Sequence, residues 1–178
     1  MDIRLAKPED ALAIASIYRP YVEDTTISFE LAAPSETTMR ERMVRVMAKL
    51  PWLVCEQDGA VAGYAYASPH HDRDAYQWSV DSSVYLRQGL QRCGLGRALY
   101  SELFTLLVQQ GYYTIFAGIS LPNAASVGLH ESFGFEPVGV YRNAGFKFGA
   151  WHDVGWWQKP LRNYAVPIAR PSNRIWHA

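Results

Sequence analysis

The chain has 178 residues, a length typical of one domain, and such a domain buries about 70% of its unfolded surface without a metal or disulfide. Lysine plus arginine and aspartate plus glutamate number 17 each, which gives no basic field for nucleic acid or an anionic membrane. The first ten residues lack the basic and apolar regions of a signal peptide, and no apolar stretch is long enough to span a membrane. We therefore expect a cytoplasmic protein without nucleic-acid or membrane partners.

The first part of the chain predicts a strand, two helices and a hairpin. Residues 3–6 have the composition of a short strand, and Pro8 suits the first turn of the helix that follows. Ser35 is suited to cap a second helix. Asp58 and Gly59 lie between two apolar runs, which is typical of the turn in an antiparallel hairpin.

Residues 76–86 predict a long strand near the centre of the sheet. Its side chains alternate between an apolar face and a face that carries a polar stripe of Ser79, Asp81, Ser83 and Tyr85. Polar side chains on a central strand are unusual, and their presence indicates that this face meets a cleft.

The next segments alternate between helix and strand. Residues 95–110 predict the longest helix, with Gly111 as its stop, and residues 113–120 predict a strand. Asn123 is suited to cap a further helix that runs to Phe133. This order predicts an α/β domain with a parallel strand pair joined by a right-handed crossover.

The last segments predict two terminal strands, at residues 138–142 and 155–161. We expect one domain over residues 1–162 and an irregular C-terminal tail over residues 163–178.

The segment QRCGLGR, residues 91–97, lies at the junction of the long strand and the long helix. The unpaired N–H groups and the positive dipole end of the helix converge there, and Arg92 and Arg97 add positive charge. Because Gly94 and Gly96 allow close backbone approach, the segment is suited to a pyrophosphate. A glycine turn before an ordinary helix is the other interpretation. The segment lacks the endings of the ATP-binding and dinucleotide-binding motifs.

The motif QRCGLG resembles the Gln/Arg-x-x-Gly-x-Gly/Ala loop of the GNAT superfamily of acetyl-CoA-dependent N-acetyltransferases. The segment NAASVGLHESFGF, residues 123–135, resembles the next cofactor-binding segment of that superfamily. More narrowly, TTISFE, PWLVCEQDGAVAGYAYASP, RDAYQW, SSVYL, LPNAAS and AGFKFGAWHDVGWWQ resemble the phosphinothricin acetyltransferase subgroup. The resemblance extends to about residue 158.

The resemblance implies the GNAT fold, in which two central parallel strands splay apart, with acetyl-CoA as cosubstrate. Pantetheine would bond to the strand backbone around Val84, Tyr85 and Leu86, and Asn123 and Ser126 would flank the thiol arm. The pyrophosphate would lie on the loop and helix start formed by Gln91, Arg92, Cys93, Gly94, Leu95, Gly96 and Arg97. A homodimer is implied as well.

Acetyl transfer requires a base, because only a neutral amine attacks a thioester. Asp81 is the candidate, acting directly or through a water, since a carboxylate is disfavoured within a strand and its presence there indicates function. The family commonly has a glutamate at this place, and an aspartate is shorter by roughly 1.5 Å. A carboxylate held only by Ser79 or Ser83 is the alternative. His130 is the candidate that assists protonation of the thiolate.

The predicted substrate is the α-amine of a small amino acid or analogue such as phosphinothricin, methionine sulfoximine or methionine sulfone. Arg73 can bind a carboxylate through two hydrogen bonds, and Phe29, Tyr76 and Ser83 complete the predicted substrate pocket. Two further functions stay open: a non-catalytic CoA-binding sensor, and a protein N-terminal acetyltransferase.

A metal site is not expected. His70, His71, Asp72 and Asp74 are close in sequence, but a polar turn accounts for them without further ligands. Two cysteines are too few for a disulfide framework.

Overall fold

A computed structural model describes residues 1–167 and 169–172. Within these residues the chain forms seven β-strands and four α-helices. The strands are β1 (Asp2–Leu5), β2 (Trp52–Gln57), β3 (Ala60–Pro69), β4 (Ser79–Leu86), β5 (Thr114–Leu121), β6 (Glu136–Lys147) and β7 (Ala150–Pro160). The helices are α1 (Ala11–Glu23), α2 (Glu36–Met47), α3 (Leu95–Gln110) and α4 (Ala124–Ser132).

The strands form one mixed sheet in the order β1-β2-β3-β4-β5-β7-β6. Strand β4 is central, as its sequence predicted. Its pairing with β5 is parallel, and every other recorded pairing is antiparallel among the described residues. Among the described strands, β4 and β5 are therefore the neighbours that run in the same direction.

Two apolar cores lie on opposite faces of this sheet. One contains the buried faces of α1 and α2, and the other contains that of α3 with α4 packed beside it. Neighbouring residues of β2 show the division, because Leu53 and Cys55 join the α3 core whereas Val54 joins the α1–α2 core. Both cores follow from alternation along the strands and helical spacing along the helices.

Three helix ends agree with the predicted caps. The Ser35 hydroxyl accepts a hydrogen bond from the Thr38 N–H at 3.1 Å, and α2 begins at the next residue. Gly111 ends α3 with a φ of 97°, a conformation that favours glycine. The side chain of Asn123 accepts a hydrogen bond from the Ser126 N–H at 3.1 Å at the start of α4.

Three predicted strand bounds were wrong. Strand β4 begins at Ser79 rather than at residue 76, because Asp74–Tyr76 form a 3-10 turn. Strands β6 and β7 are much longer than predicted. The alternation in β6 breaks where the register shifts between Tyr141 and Gly145, and this irregularity concealed the second half of the strand.

The described part of the C-terminal tail has no helix or strand and packs against the domain. The Trp78 indole N–H donates to the Ala169 carbonyl at 3.1 Å, and the Tyr164 hydroxyl lies 3.1 Å from that of Thr114. The prediction of an irregular tail also covers Ile168 and residues 173–178, which lie outside the described residues. Within the described residues, no helix has the length and apolar character that a membrane crossing requires.

Candidate active site

A cleft opens in the middle of the sheet because β4 and β5 pair over only three residues. The paired positions run from Ser79–Thr114 to Asp81–Phe116, and the strands separate beyond them. A cavity occupies this gap. It is lined from both faces of the sheet by Ile27, Ser82, Ser83, Val84, Tyr85, Tyr100, Ala117, Gly118, Ile119, Ser120, Asn123, Ser126 and His130.

The backbone of β4 turns polar groups toward this gap. Arg87 N–H donates to the Ala62 carbonyl on β3 at 2.8 Å, which fixes the odd-numbered residues of β4 as those that bond to β3. The N–H and C=O groups of Val84 and Leu86 therefore face the side from which β5 has moved away. The Leu86 carbonyl accepts a hydrogen bond from the Tyr21 hydroxyl at 2.6 Å.

The start of α3 lies beside the same stretch of β4. Gly94 precedes the helix with a φ of 81°, and nothing would meet a Cβ within 4 Å there. Gly96 lies against the side chains of Val84, Leu86 and Leu129, with the nearest atom 3.5 Å from where a Cβ would be. The first-turn N–H groups, including that of buried Leu95, have no partner within the helix. The start of α3 therefore has small residues and unpaired N–H donors, and it lies beside the end of β4.

The predicted loop residues differ in their surroundings. Gln91, Arg92 and Cys93 are exposed, and Arg92 has a φ of 64°. Arg97 points away from the loop, because its guanidinium donates to the Ser132 hydroxyl at 2.8 Å and lies 5.0 Å from the centre of the Phe133 ring. Arg97 therefore ties α3 to α4 in this structure.

Tyr85 projects to the opposite face of the sheet from Val84 and Leu86. Its ring packs edge-on against Tyr18 and Tyr21, with ring centres 4.9 Å and 5.1 Å away. It forms part of the wall of the cavity on the α1–α2 side.

His130 is buried, with 3% of its surface exposed, and both of its ring nitrogens have partners. Nδ1 lies 2.7 Å from the Ser126 carbonyl oxygen, so Nδ1 carries the proton and donates it. Nε2 lies 3.0 Å from the Tyr100 hydroxyl, which donates to it in the neutral tautomer. Burial lowers the pKa of His130, and the hydrogen bond to Ser126 acts in the opposite direction. The imidazole is therefore neutral near pH 7.

Asp81 has a partner that the sequence did not indicate. Its carboxylate oxygen lies 2.6 Å from Nδ1 of His70, so the alternative of a carboxylate held only by Ser79 or Ser83 is wrong. Burial raises the pKa of Asp81, and the hydrogen bond from His70 lowers it. The two residues meet because β3 pairs with β4 in a register that places Ser68 opposite Asp81, two residues before His70.

Two of the predicted substrate residues lie on the α1–α2 side of the cleft. Ser83 lines the central cavity. Phe29 packs on the backbone of β6, where a Cβ on Gly145 would overlap its ring, and its ring centre lies 6.2 Å from that of His152. Phe29 belongs to the segment between α1 and α2, which also contributes Ile27 to the central cavity.

Arg73 and Tyr76 line a different cavity from the central one. This second cavity, of about 470 Å³, lies between the segment after β3 and the tail residues Arg170 and Pro171. The Tyr76 ring nevertheless lies 6.0 Å from that of His70. The structure therefore brings Ser83 to the cleft, packs Phe29 on β6 outside the residues that line the central cavity, and places Arg73 and Tyr76 in the second cavity.

Lys147 holds the segment between α1 and α2 in place. It is 4% exposed, and its ammonium group donates to the carbonyls of Val22 and Ser28 at 2.6 Å each. Burial lowers the pKa of Lys147, and the charge of Glu30 raises it. The position of Phe29 therefore depends on an anchor from β6.

Two buried polar atoms beside the cleft have no hydrogen-bond partner within residues 1–167 and 169–172. They are the Ser120 hydroxyl oxygen and the indole nitrogen of Trp156. Ser120 lines the cavity, and the Trp156 ring lies 3.2 Å from where a Cβ on Gly118 would be. Such atoms are available to a ligand. No group of three or more potential metal ligands occurs among the described residues.

The comparison with protein families agrees with this geometry. The model of the acetyltransferase (GNAT) domain matches residues 3–156. The chain belongs to the GNAT acetyltransferase family. The expected α/β fold with splayed central strands is thereby confirmed.

Named GNAT relatives cover nearly the whole chain. A phosphinothricin N-acetyltransferase from Streptomyces viridochromogenes is 41% identical, over 98% of this chain and 96% of the relative. An L-methionine sulfoximine/L-methionine sulfone acetyltransferase from Salmonella typhimurium is 34% identical, over 95% and 99%. The crystal structure of a phosphinothricin acetyltransferase from Sinorhizobium meliloti in complex with AcCoA matches with a TM-score of 0.89 and 34% identity, over 96% and 92%.

Sequence reasoning missed three residues that shape this GNAT site. His70 was interpreted as part of a polar turn, and its contact with Asp81 depends on the register between β3 and β4, which the sequence does not show. Tyr100 was treated only as part of a helix, and Lys147 was not singled out. For these two residues the signal lies in tertiary contacts, because their partners are 30 and more than 100 positions away.

Proposed function

We propose that the protein transfers the acetyl group of acetyl-CoA to the α-amine of a small amino acid or analogue of the phosphinothricin, methionine sulfoximine or methionine sulfone type. The reaction is a direct attack with both substrates bound. The observation that carries the proposal is the cleft between β4 and β5, which places the start of α3 on one side and Asp81 on the other. The names of the relatives support this substrate class.

The residues beside the cleft fit acetyl-CoA, which supplies the acetyl group as an activated thioester. The N–H groups at the start of α3, with Gly94 and Arg92, would hold the pyrophosphate. The backbone of Val84 and Leu86 would bond to the pantetheine arm, with Asn123 and Ser126 opposite. The predicted contacts of Tyr85, Gln91, Cys93, Leu95, Gly96 and Arg97 belong to the same proposal, although Arg97 must leave Ser132 to reach the loop.

Two polar side chains would take part in proton transfer, one at each end of the cavity. Asp81, together with its hydrogen-bonded neighbour, lies where the strands part and would serve removal of a proton from the amine. His130 lines the far wall and would assist protonation of the thiolate, in a network that includes Tyr100. Phe29 and Ser83 would contact the amino acid, and Arg73 and Tyr76 would act from the segment behind Asp81.

We further propose a homodimer in the cytoplasm, formed through the exposed edge strand β6. This strand, the turn after it and the start of β7 expose large apolar side chains, namely Val138, Val140, Tyr141, Phe146, Phe148 and Trp151. Contiguous exposed apolar residues on an edge strand are typical of an interface.

A thiol-release assay against a panel of amino acids tests the proposed function. The panel contains phosphinothricin, methionine sulfoximine, methionine sulfone and the common amino acids, with short peptides as competitors. We expect free thiol to form only with certain small amino acids, and the Asp81→Asn variant to show a lower kcat with nearly unchanged acetyl-CoA affinity. Binding of acetyl-CoA without turnover of any compound would indicate a sensor. Preference for peptides would indicate a protein N-terminal acetyltransferase.

A further inference from the structure

His70 and Asp81 form a half-buried hydrogen-bonded pair at the point where β4 and β5 separate. The side chains are 14% and 27% exposed, and the bond between Nδ1 and the carboxylate is 2.6 Å long. Asp81 belongs to the last paired position of the two strands, opposite Phe116. The central cavity is lined from the next residues onward, Ser82 on β4 and Ala117 on β5. The pair therefore lies at the closed end of the cleft.

The ring of His70 is fixed by its aromatic neighbours. It stacks face to face on Phe116, with ring centres 4.1 Å apart and planes 10° apart. The rings of Trp156 and Tyr76 meet it edge-on, each at 6.0 Å. Because Phe116 is also the strand partner of Asp81, the same two strands position both members of the pair.

The hydrogen bond decides which ring nitrogen can accept a proton. An ionised carboxylate only accepts hydrogen bonds, so Nδ1 of His70 carries the proton and donates it to Asp81. Nε2 then has a free lone pair. Within residues 1–167 and 169–172, Nε2 makes no hydrogen bond to the protein.

We propose that His70 is the general base of the acetyl transfer and that Asp81 is the residue that positions it. This inference rests on the proposed function and changes which atom takes the proton. Nε2 of His70 accepts a proton from the substrate ammonium group, directly or through one water. The freed amine lone pair forms the C–N bond with the thioester carbonyl carbon and the C–S bond breaks. The nitrogen then loses its second proton, which goes to the thiolate, so that a neutral amide and free CoA thiol result. His70 later releases its proton to solvent.

A base at His70 explains how Asp81 can stand where the family commonly has the longer glutamate. An aspartate ends roughly 1.5 Å before a glutamate would, and a carboxylate held by His70 has an oxygen committed to that bond. The imidazole carries the basic atom beyond the carboxylate, and the carboxylate in turn stabilises the imidazolium that forms. The arrangement has the same logic as other carboxylate–histidine pairs in catalysis.

The variant His70→Asn separates the two assignments of the base. Its amide nitrogen takes the place of Nδ1 and can still donate to Asp81, but asparagine cannot take up a proton. If His70 is the base, kcat falls by about 10² to 10⁴ while acetyl-CoA affinity, measured by calorimetry, stays within about twofold. If Asp81 itself is the base, kcat is largely retained, and this result would overturn the proposal. Asp81→Asn lowers kcat under either assignment and does not separate them.

Chemical rescue gives a readout that a purely structural role of His70 would not produce. In His70→Ala, added imidazole is expected to restore kcat in proportion to its concentration, with little change in KM. Loss of kcat in both variants without any rescue would assign His70 a structural role and would contradict the proposal.

His71→Phe is the control, because it removes a second imidazole but keeps an aromatic ring beside His70. The exposed His71 ring lies edge-on to that of His70, with ring centres 4.4 Å apart, and is not bonded to the Asp81 carboxylate. Its kcat is expected to stay within about threefold of the wild-type value. An inactive wild-type protein across the whole amino-acid panel would refute the proposed function, whereas an active wild-type with an active His70→Asn variant would refute only the assignment of His70.

Discussion

His130 shows how burial changes the role that a residue can have. A histidine on a helix was expected to assist protonation of the thiolate, and its buried ring is instead neutral, with Nε2 accepting from the Tyr100 hydroxyl. A neutral ring with an occupied Nε2 has no proton to give from that atom. The proton shared between these two side chains therefore belongs to the Tyr100 hydroxyl, whose pKa is raised by burial.

We predict that His130 makes the protein less stable in mild acid. The pKa of His130 is lowered in the folded state, while the unfolded chain takes up a proton near pH 6.5. The free energy of unfolding is therefore fully present above pH 6.5 and falls as the pH drops toward the folded pKa. In His130→Gln, which does not titrate, the loss between pH 7.5 and 5.5 is expected to be smaller, by at most about 1.4 kcal/mol. Urea unfolding at the two pH values measures it, and equal losses would contradict the prediction.

Arg73 tests whether the segment after β3 contributes to substrate binding. We predict that Arg73→Ala raises the KM for the amino acid about tenfold or more, because a charge-assisted contact with the substrate carboxylate is lost, and leaves acetyl-CoA binding unchanged. Arg170→Ala is the control, since Arg170 lines the same second cavity from the tail. Steady-state kinetics distinguish the cases: an equal rise in both variants would implicate the cavity as a whole, and no rise in either would remove Arg73 from the site.

At the scale of elements, α3 was the segment whose bounds were predicted most accurately from the sequence. The predicted bounds, residues 95–110, are those observed, and the predicted glycine stop is present. Strong helical spacing and glycine at a positive φ are local signals, so a single sequence suffices to find them. The bounds of the β6–β7 hairpin were predicted least accurately. Within the register shift between Tyr141 and Gly145, Asp153 accepts from the Asn143 N–H at 2.8 Å and from Arg142 at 2.6 Å across the hairpin, a contact that has no local signal.

Gly94 and Gly89 allow a matched test of the α3 start. Both have positive φ, 81° and 85°, and open space around a Cβ, so alanine costs about the same conformational energy, roughly 1–2 kcal/mol, at either position. Only Gly94 caps α3. We predict that Gly94→Ala weakens acetyl-CoA binding about tenfold in calorimetry and that Gly89→Ala leaves it within about twofold. Equal effects would place the anion site elsewhere in the loop.

At the scale of the whole molecule, pattern and motif together predicted the architecture but not the contacts that complete the site. The central place of β4, the parallel partner β5 and the two-faced core follow from alternation and element order. The meeting of His70 with Asp81 depends on the register between β3 and β4, and the bonds of Lys147 to Val22 and Ser28 join residues at opposite ends of the chain. Neither feature has a local signature.

The short pairing of β4 with β5 has a mechanical consequence. Four strands lie on one side of this junction and three on the other. The two strands at the junction pair over three residues, and the N–H groups of Tyr113 and Thr114 add hydrogen bonds to the adjacent Trp78 carbonyl. The sheet thus consists of two halves joined by this short pairing. Side-chain hydrogen bonds such as those of Lys147 connect the halves further. A molecule that hydrogen-bonds to both halves would restrict their relative motion, including the motion of strands far from the point of contact.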